Sequence, residues 1–396
     1  MDVLFLAHRA PFPPDRGDRI RSYHVLRHLA QRARVHLVAF ADTAAECTPA
    51  PELRALTASC TIVHRRKPRA IAAAQALASG LPVSLTAFAD PDLRRAVAGV
   101  LRQQPVAAIY CFSGQMAQYL PESGPGTIMD FVDVDSAKFA ALGQGRLTPL
   151  RWLMRREARL LEAFERQVSA RADAALFVSA AEAALFRHAG GRGNIVTVEN
   201  GIDTARFSPA AVPARPVPGP TIAFTGQMDY QPNVEAVTWF AREVMPRVHR
   251  RHPDARFAIV GRAPTAAVRA LAGSHVEVSG EVPDTRPWLA AAAVCVAPLS
   301  LARGIQNKVL EAMAMGRPVV ATGAAAEGID HAGTVRTGDG AEAFARAVIA
   351  LLDDPTAAEA LGAAARQRVM ARYAWDASLA PLDALMGFTE RRPEAA

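Results

Sequence analysis

Short apolar segments alternate with longer amphipathic segments along almost the whole chain, in two successive series. The apolar runs predict buried strands, and the amphipathic stretches predict the crossover helices that connect parallel strands. The first series predicts seven strands, at Val3–Ala7, Val35–Phe40, Thr61–His64, Ala107–Cys111, Thr127–Phe131, Ala174–Val178 and Ile195–Val198. The second predicts six, at Thr221–Thr225, Arg256–Val260, Val276–Ser279, Val294–Ala297, Pro318–Ala321 and Thr334–Arg336. Two α/β, Rossmann-like domains in tandem are therefore expected.

A proline-rich segment separates the two series. Ser208–Pro220 contains five prolines and no periodic signal, which is typical of a linker. We therefore predict a first domain over residues 1–207 and a second over 208–372, with a C-terminal helix over 373–396 that rejoins the first. Domains of this kind, facing each other, would place strand ends and helix N-termini around one cleft that suits an anionic ligand.

Composition narrows the classes of function. No apolar run approaches the roughly 20 residues that cross a bilayer, and the N-terminus begins directly with a strand pattern, so a cytoplasmic protein is expected. The four cysteines lie far apart without metal-ligand spacing, which indicates reduced, structural thiols. A net charge of +7 favours an anionic partner. No basic motif interleaved with aromatic residues is present, which argues against nucleic acid.

The most informative segment is Gly304–Thr322, read as a glycine-containing loop, a helix from about Asn307 to Met315, and a strand. The helix N-terminus offers backbone N–H groups and partial positive charge to a diphosphate. Lys308 and Glu311 share one face of that helix, where an ammonium can neutralise phosphate and a carboxylate can accept hydrogen bonds from a ribose. An ordinary αβ unit with an exposed lysine and glutamate is the alternative.

The segment resembles the donor motif of the retaining family-four glycosyltransferases, which ends in Glu-Ala-Met-Ala-x-Gly-x-Pro-Val-Val. The resemblance extends to Val198–Asp203, Phe224–Gly226, Val278–Val282 and the glycine loop Pro13–Arg21. In detail the chain looks most like the sugar transferases that accompany the PEP-CTERM sorting and exopolysaccharide system. In this order and spacing the motifs imply the GT-B fold, with two Rossmann-like domains facing across a cleft.

The resemblance also implies an activity and a set of donor-binding residues. It implies a hexosyltransferase that moves a sugar from a nucleotide diphosphate sugar to a glycan or lipid-linked acceptor in exopolysaccharide synthesis, with retention and without metal or further cofactor. The donor residues that it implies are Gly17, Gly226, Val282, Arg303, Gly304, Ile305, Gln306, Asn307, Lys308 and Glu311.

The chain departs from the family pattern in its cations. Family members carry an arginine and a lysine soon after the glycine that corresponds to Gly226, but residues 227–233 contain neither. Arg303 stands where members have a glutamate. Because a diphosphate leaving group needs compensating charge in a low-dielectric site, we infer that Lys308 and Arg303 supply it. A solvated loop arginine is the alternative for Arg303.

Three further residues are candidates for the acceptor side. Asp133 and Asp135 follow a predicted strand and have the Asp-x-Asp spacing that other glycosyltransferases use for a metal. We favour a role in orienting or deprotonating the acceptor hydroxyl, and helix capping is the alternative for Asp135. His8 ends the first strand as a third catalytic candidate, with a structural role as its alternative.

The predicted helix Pro149–Arg171 carries a set of basic residues beside Trp152 and Met154, namely Arg151, Arg155, Arg156, Arg159 and Arg166. A basic amphipathic helix can lie on the inner surface of the cell membrane, where a lipid-linked acceptor is found; a solvated basic face is the alternative. Rival functions are a nucleotide-sugar epimerase and a degenerate nucleotide-sugar binder. A nicotinamide oxidoreductase is disfavoured, since no GxGxxG motif follows a strand.

Overall fold

The computed structural model describes residues 1–146, 148–300 and 305–388. The chain divides into two compact units. The first comprises Met1–Asn200 together with the chain from Ser378 onward, and the second comprises Gly201–Ala377.

The first unit contains a seven-stranded sheet in which all neighbours are parallel. Its order is β3-β2-β1-β4-β5-β6-β7, and the first six strands follow the order of a Rossmann sheet. The strands are β1 (Asp2–Ala7), β2 (Arg34–Ala41), β3 (Ser59–His64), β4 (Val106–Phe112), β5 (Gly126–Val132), β6 (Ala174–Phe177) and β7 (Ile195–Thr197). The central residues of β1, β2, β4, β5 and β6 are almost completely buried, which explains why these strands appear in the sequence as apolar runs. The edge strands β3 and β7 are half-buried.

Helices connect these strands. They are α1 (Gly17–Ala30), α2 (Pro51–Leu56), α3 (Arg69–Ser79), α4 (Val83–Thr86), α5 (Pro91–Gln103), α6 (Asp135–Leu142), α7 (Pro149–Arg171) and α8 (Ala180–His188), with short 3₁₀ turns at Ala45–Cys47 and Gly114–Tyr119. Parallel strands need such crossovers, because each chain must return to the same end of the sheet.

The second unit contains a six-stranded parallel sheet in the order β10-β9-β8-β11-β12-β13. The strands are β8 (Thr221–Thr225), β9 (Arg256–Val260), β10 (Val276–Gly280), β11 (Val294–Ala297), β12 (Val319–Ala321) and β13 (Val335–Thr337). The helices are α9 (Gln231–Trp239), α10 (Met245–His249), α11 (Ala266–Arg269), α12 (Arg286–Ala291), α13 (Asn307–Ala314), α14 (Gly323–Ala326), α15 (Ala341–Asp353) and α16 (Pro355–Arg372). The division between the units falls within α17 (Trp375–Leu379), and α18 (Pro381–Leu385) belongs to the first unit.

All thirteen predicted strands are confirmed, and both sheets are parallel as expected. Three helices differ from the prediction. The sequence pattern predicts a first helix from about Arg21 to Arg32, but α1 begins at Gly17. The pattern also predicts one helix near Val234–Arg250, but the chain there contains a π turn at Phe240–Val244, because Pro246 has no N–H to continue the regular ladder. The predicted C-terminal helix is divided into α17 and α18 where Pro381 begins a new helix.

The proline-rich segment Ser208–Pro220 packs on the second unit. Phe207 and Val212 contact its core, and the Arg215 guanidinium lies 3.7 Å from the centre of the Trp288 ring. The division between the units falls at Asn200 and Gly201, a few residues before the boundary that the prolines indicate.

Candidate active site

A cavity of about 540 Å³ opens in the second unit. It lies at the carboxyl ends of β8 and β9 and at the N-terminus of α13, where polar groups of consecutive βα connections meet. The predicted donor residues that line it are Gly226, Val282, Ile305, Gln306, Asn307, Lys308 and Glu311. The structure therefore brings together, in one cavity, most of the residues that the sequence motifs indicated separately.

Three predicted donor residues are not among the described residues that line this cavity. Gly17 is the first residue of α1 in the first unit. Arg303 and Gly304 lie outside the described residues. Two arginines of the predicted glycine loop form ion pairs within the first unit. Arg19 pairs with Glu46 at 2.5 Å, and Arg21 pairs with Asp130 at 2.9 Å.

Lys308 is the central cation of the cavity. Its ammonium donates to Asn233 Oδ1 at 2.6 Å and lies 4.1 Å from the centre of the Phe224 ring. Within the described residues no carboxylate forms an ion pair with it. Burial lowers the pKa of Lys308 to about 8. A buried cation that an amide and an aromatic face hold, with no anionic partner in the described part of the chain, is well placed to receive an anion.

Glu311 lies one turn further along α13 and faces the same cavity. Burial raises its pKa to about 7, although the positive charge of Lys308 opposes the shift. At neutral pH this carboxyl group is therefore partly protonated, which reduces the repulsion that a bound diphosphate would meet.

Two glycines allow the β8 and β9 loops to touch beside Lys308. A Cβ atom on Gly261 would lie 1.6 Å from the Gly226 carbonyl oxygen. A Cβ on Gly226 would lie 2.8 Å from Asn233 Nδ2 and 3.3 Å from Lys308 Nζ. Any side chain at Gly226 would thus displace the amide that holds the ammonium. Steric constraints therefore explain why this position is a glycine.

The cavity is also lined by a second cation, Arg262, which the sequence motifs did not indicate. Arg262 follows directly after Gly261, and its Nη2 donates to Gln227 Oε1 at 3.0 Å. No local motif marks this arginine, because it is brought to the cavity by the pairing of β8 with β9.

The acceptor-side candidates lie at one edge of the sheet in the first unit. The strands β1, β4 and β5 are neighbours, and His8 and Asp133 each follow the carboxyl end of one of them. The order of the strands therefore places these residues at the same end of one sheet, although their contacts are separate.

His8 is held by aromatic rings and by a carboxylate. Its ring stacks on Phe112 with centroids 5.7 Å apart, and Nε2 donates to Asp18 Oδ2 at 3.2 Å. Burial opposes ionisation of Asp18, but the hydrogen bond from His8 and the charge of Arg9 hold its pKa below the usual value. Nδ1 is buried without a hydrogen-bond partner among the described residues. The contacts describe a fixed imidazole and leave its catalytic role a prediction.

Asp133 and Asp135 share one cation. Lys138 Nζ lies 2.8 Å from Asp133 Oδ2 and 3.3 Å from Asp135 Oδ1. Burial would lower the pKa of Lys138, but the two carboxylates outweigh it and raise that pKa. Asp135 does not cap α6, since the cap position is Val134 and no side chain caps it. The capping alternative for Asp135 is therefore wrong.

Two residues beside the aspartates adopt left-handed backbone conformations. Ser113 has φ of 77° and Val132 has φ of 71°. Asp130 fixes both, because its carbonyl accepts from Ser113 N at 2.8 Å and its Oδ1 accepts from Val132 N at 3.1 Å. Positive φ is costly for a β-branched residue, and such strain persists only where the surroundings enforce it.

Carboxylates from two helices hold the turn that carries the aspartates. Glu182 of α8 accepts from Val134 N at 2.7 Å. Glu165 of α7 accepts from Ser136 N at 3.1 Å and from Ser136 Oγ at 2.5 Å, and burial raises its pKa to about 7. Sequence reasoning missed both glutamates, since their partners are backbone groups distant in the chain.

In the described part of the chain, no group of three or more His, Cys, Asp or Glu residues is arranged to bind a metal ion.

Solved structures define the class of fold. HepE of Anabaena, solved in complex with UDP, superimposes with a TM-score of 0.61 at 15% identity and covers 98% of this chain and 100% of its own. WaaG, a glycosyltransferase involved in lipopolysaccharide biosynthesis, gives 0.59 at 16% identity over 97% of this chain and 100% of its own. Sucrose-phosphate synthase from Thermosynechococcus elongatus gives 0.61 at 17% identity over 97% and 98%. The chain has the GT-B fold.

The chain also has relatives by sequence. Residues 219–354 match the family model described as Glycosyl transferases group 1. The phosphatidyl-myo-inositol mannosyltransferase of Mycolicibacterium smegmatis is 32% identical over 192 residues, which are 46% of this chain and 48% of the relative. A GDP-mannose-dependent monoacylated alpha-(1-6)-phosphatidylinositol monomannoside mannosyltransferase of Corynebacterium glutamicum is 30% identical over 200 residues, 45% and 52% of the two chains. The chain spans about half the length of these curated relatives.

Proposed function

We propose that this protein is a glycosyltransferase that moves a hexosyl group from a nucleotide diphosphate sugar to a hydroxyl of a glycan or lipid-linked acceptor. The observation that carries the proposal is the ammonium of Lys308, which lies in a cavity at a helix N-terminus without a carboxylate ion pair among the described residues. The family match of residues 219–354 supports the same assignment.

The chemistry needs stabilisation of a leaving diphosphate. The bond between the anomeric carbon and the diphosphate oxygen breaks, and a bond from the acceptor oxygen to that carbon forms on the same face. The acceptor proton passes to the leaving phosphate. Lys308 and the N-terminus of α13 stabilise the charge that develops on this group, while Asp133 and Asp135 orient the acceptor hydroxyl. This arrangement gives retention and uses no metal ion.

The nucleotide of the donor can be identified by experiment. One relative is named as GDP-mannose-dependent, and one structural neighbour was solved with UDP-glucose, so both nucleotide classes belong in a thermal-shift panel. A ligand at 100 times its Kd adds about 2.7 kcal/mol to the free energy of unfolding. The expected result is a rise in Tm with one nucleotide class.

Turnover then separates transfer from its rivals. Release of free nucleotide diphosphate should require an acceptor, for which short-chain lipid-linked and free glycans are the first probes. Conversion of the donor to an epimer without an acceptor would assign an epimerase. Binding without turnover for any acceptor, by a protein that binds the donor tightly, would assign a degenerate binder. For the proposed role in exopolysaccharide synthesis, loss of the gene should abolish the polymer.

We further propose that the reaction takes place at the inner, anionic surface of the cell membrane. Residues 65–89 and 136–156 contain nine basic residues and no acidic residue. Six exposed large apolar side chains lie in or beside these two segments, Ile71, Leu77, Leu81, Leu142, Leu150 and Trp152. Arg156 of α7 joins the segments by donating to the carbonyls of Ala76 and Leu81 at 2.7 and 3.1 Å.

This surface combines the two features that bind a bilayer from one side. Each cation near an anionic surface contributes about 1 kcal/mol, and exposed leucine and tryptophan side chains can enter the interface. Among the described residues no helix is long and apolar enough to span the bilayer.

Vesicle sedimentation tests the membrane proposal. The protein should sediment with vesicles containing anionic phosphatidylglycerol and not with purely zwitterionic vesicles. The variant Leu150→Ser/Trp152→Ser should reduce this binding several-fold. Leu185→Ser removes another exposed leucine, from a different helix of the same unit, and should leave vesicle binding unchanged. Equal loss in both variants, or no preference for anionic lipid, would contradict the proposal.

A further inference from the structure

The donor cavity contains a second cation, Arg262, to which the reaction described above gives no role. A nucleoside diphosphate brings at least two negative charges, and the loop 227–233 lacks the basic pair of the resembling family. Among the described lining residues the only cations are Lys308 and Arg262. We propose that Arg262 binds the diphosphate of the donor together with Lys308. This inference rests on the proposed function and adds a residue to it.

The backbone brings Arg262 close to the part of the cavity that contains the Lys308 ammonium, where we place the diphosphate. Arg262 follows Gly261, whose Cβ position would lie 1.6 Å from the Gly226 carbonyl oxygen. Gly226 in turn adjoins the ammonium of Lys308, since its own Cβ position would lie 3.3 Å from Nζ. Met228 N donates to the Arg262 carbonyl at 2.9 Å and fixes the two loops together. The backbone at Arg262 therefore adjoins the Gly226 segment, which in turn adjoins the ammonium of Lys308.

Both cavity cations are held by neutral side-chain amides. Arg262 Nη2 donates to Gln227 Oε1 at 3.0 Å, as Lys308 Nζ donates to Asn233 Oδ1. Arg286, in contrast, is paired with the carboxylate of Asp284 at 2.7 Å. No carboxylate in the described part of the chain pairs with Arg262. An amide orients a cation without neutralising it, so the positive charge remains for an anion.

The guanidinium adds two properties that an ammonium lacks. Its planar fork binds two phosphate oxygens at once, and one bond to Gln227 leaves most of its five N–H donors unused. It also stays protonated throughout the physiological pH range, whereas burial lowers the pKa of Lys308 to about 8. Arg262 therefore supplies a permanent charge beside a titrating one.

Titration calorimetry with GDP, UDP, GMP, UMP and the nucleosides guanosine and uridine tests the assignment. Arg262→Gln should weaken binding of the preferred nucleoside diphosphate by about tenfold, since a charge-assisted contact at an exposed site lies near the low end of the usual range. The loss for the monophosphate should be smaller. The dependence of affinity on salt should also become shallower, because one ion contact is gone. Arg262→Lys should recover part of the affinity.

Arg256→Gln is the matched control. Arg256 is exposed at the opposite end of the same strand β9, and its substitution removes the same charge from the protein. It should leave the affinity for the diphosphate within twofold, and all three variants should keep the wild-type Tm.

The outcomes separate this inference from the function on which it rests. If the unsubstituted protein binds neither GDP nor UDP, the proposed function fails and the role of Arg262 fails with it. If the unsubstituted protein binds one of them and Arg262→Gln binds it equally well, only the role of Arg262 is contradicted. An equal loss for the nucleoside, the monophosphate and the diphosphate would assign Arg262 to the base and overturn the phosphate contact.

Discussion

Lys308 is a residue at which stability and binding make opposite demands. Its ammonium is desolvated, and its contacts are the Asn233 amide and the Phe224 ring. Burial disfavours the charged form and lowers the pKa to about 8. In the unfolded chain a lysine has a pKa of about 10.4, so folding with a protonated Lys308 carries a free-energy cost. A bound diphosphate would remove that cost by supplying the missing counter-charge.

The variant Lys308→Met should therefore gain stability and lose binding. Because the folded pKa lies below the unfolded pKa, the destabilising effect of the charge is complete below pH 8 and disappears as the pH approaches about 10.4. At pH 7 the Tm should rise by about 2–4 °C for each kcal/mol regained, and the gain should shrink at pH 9.5. Affinity for the nucleoside diphosphate should fall about 10- to 150-fold. A lower Tm at pH 7 would contradict the argument.

The same titration predicts a pH dependence of donor binding. Only the protonated amine pairs with phosphate, so affinity for the nucleoside diphosphate should decline as the pH rises above about 8. Glu311, with a pKa of about 7, adds a milder decline from pH 7 upward as it becomes negative. Lys308→Arg, measured by calorimetry between pH 6 and 9.5, should lose the decline above pH 8. A profile identical to that of the wild type would assign the titration to another group.

At the scale of elements, the turn between β5 and α6 is shaped by its neighbours. Val132 has a positive φ that its own side chain disfavours. Glu182 of α8 and Glu165 of α7 hold the following backbone N–H groups of Val134 and Ser136. These helices therefore position Asp133 and Asp135, and a change in either glutamate should act through the aspartates.

Glu182→Ala should impair the acceptor step and leave the donor site intact. The expected result is a higher KM for the acceptor with a lower kcat, and an unchanged Kd for the nucleoside diphosphate. Glu182→Gln keeps an oxygen that can accept from Val134 N and should retain most of the activity. Equal losses in both variants, or a loss of donor affinity, would show that the glutamate acts in another way.

The strands were predictable because buried parallel strands leave continuous apolar runs, as in β1 and β4. Helix α13 was predictable because Gly316 and Pro318 mark its end in the sequence. The start of α1 was not, since Gly17 and the arginines before Ile20 give no helical pattern. Arg262, Glu165 and Glu182 were missed because each acts on a partner that only the sheet or helix packing brings near.

At the scale of the whole molecule, charge is distributed very unevenly. The sequence has a net charge of +7, yet residues 65–89 and 136–156 alone contain nine basic residues and no acidic one. The rest of the chain is therefore close to neutral. The basic character of the protein belongs to one surface of the first unit and, at the donor cavity, to Lys308 and Arg262.

Removal of divalent ions should leave the activity of the whole protein intact. If Lys308, Arg262 and the N-terminus of α13 compensate the leaving group, turnover of the preferred donor should survive EDTA. Complete loss that Mn²⁺ or Mg²⁺ restores would instead indicate that Asp133 and Asp135 are metal ligands. Asp133→Asn and Asp135→Asn, assayed with and without the ion, would identify which carboxylate is involved.

The shifted titration of Lys308 also makes it a chemical handle. Lys67, Lys138 and Lys308 are the only lysines of the sequence, and it is the neutral amine of a lysine that attacks acylating or aldehyde reagents. With a pKa of about 8, Lys308 exposes its lone pair near physiological pH, while the pKa of Lys138 is raised by its aspartates. A ribose-dialdehyde nucleotide should therefore form a reducible Schiff base mainly at Lys308. Such a covalent adduct would turn the donor cavity into a site for screening inhibitors by mass spectrometry.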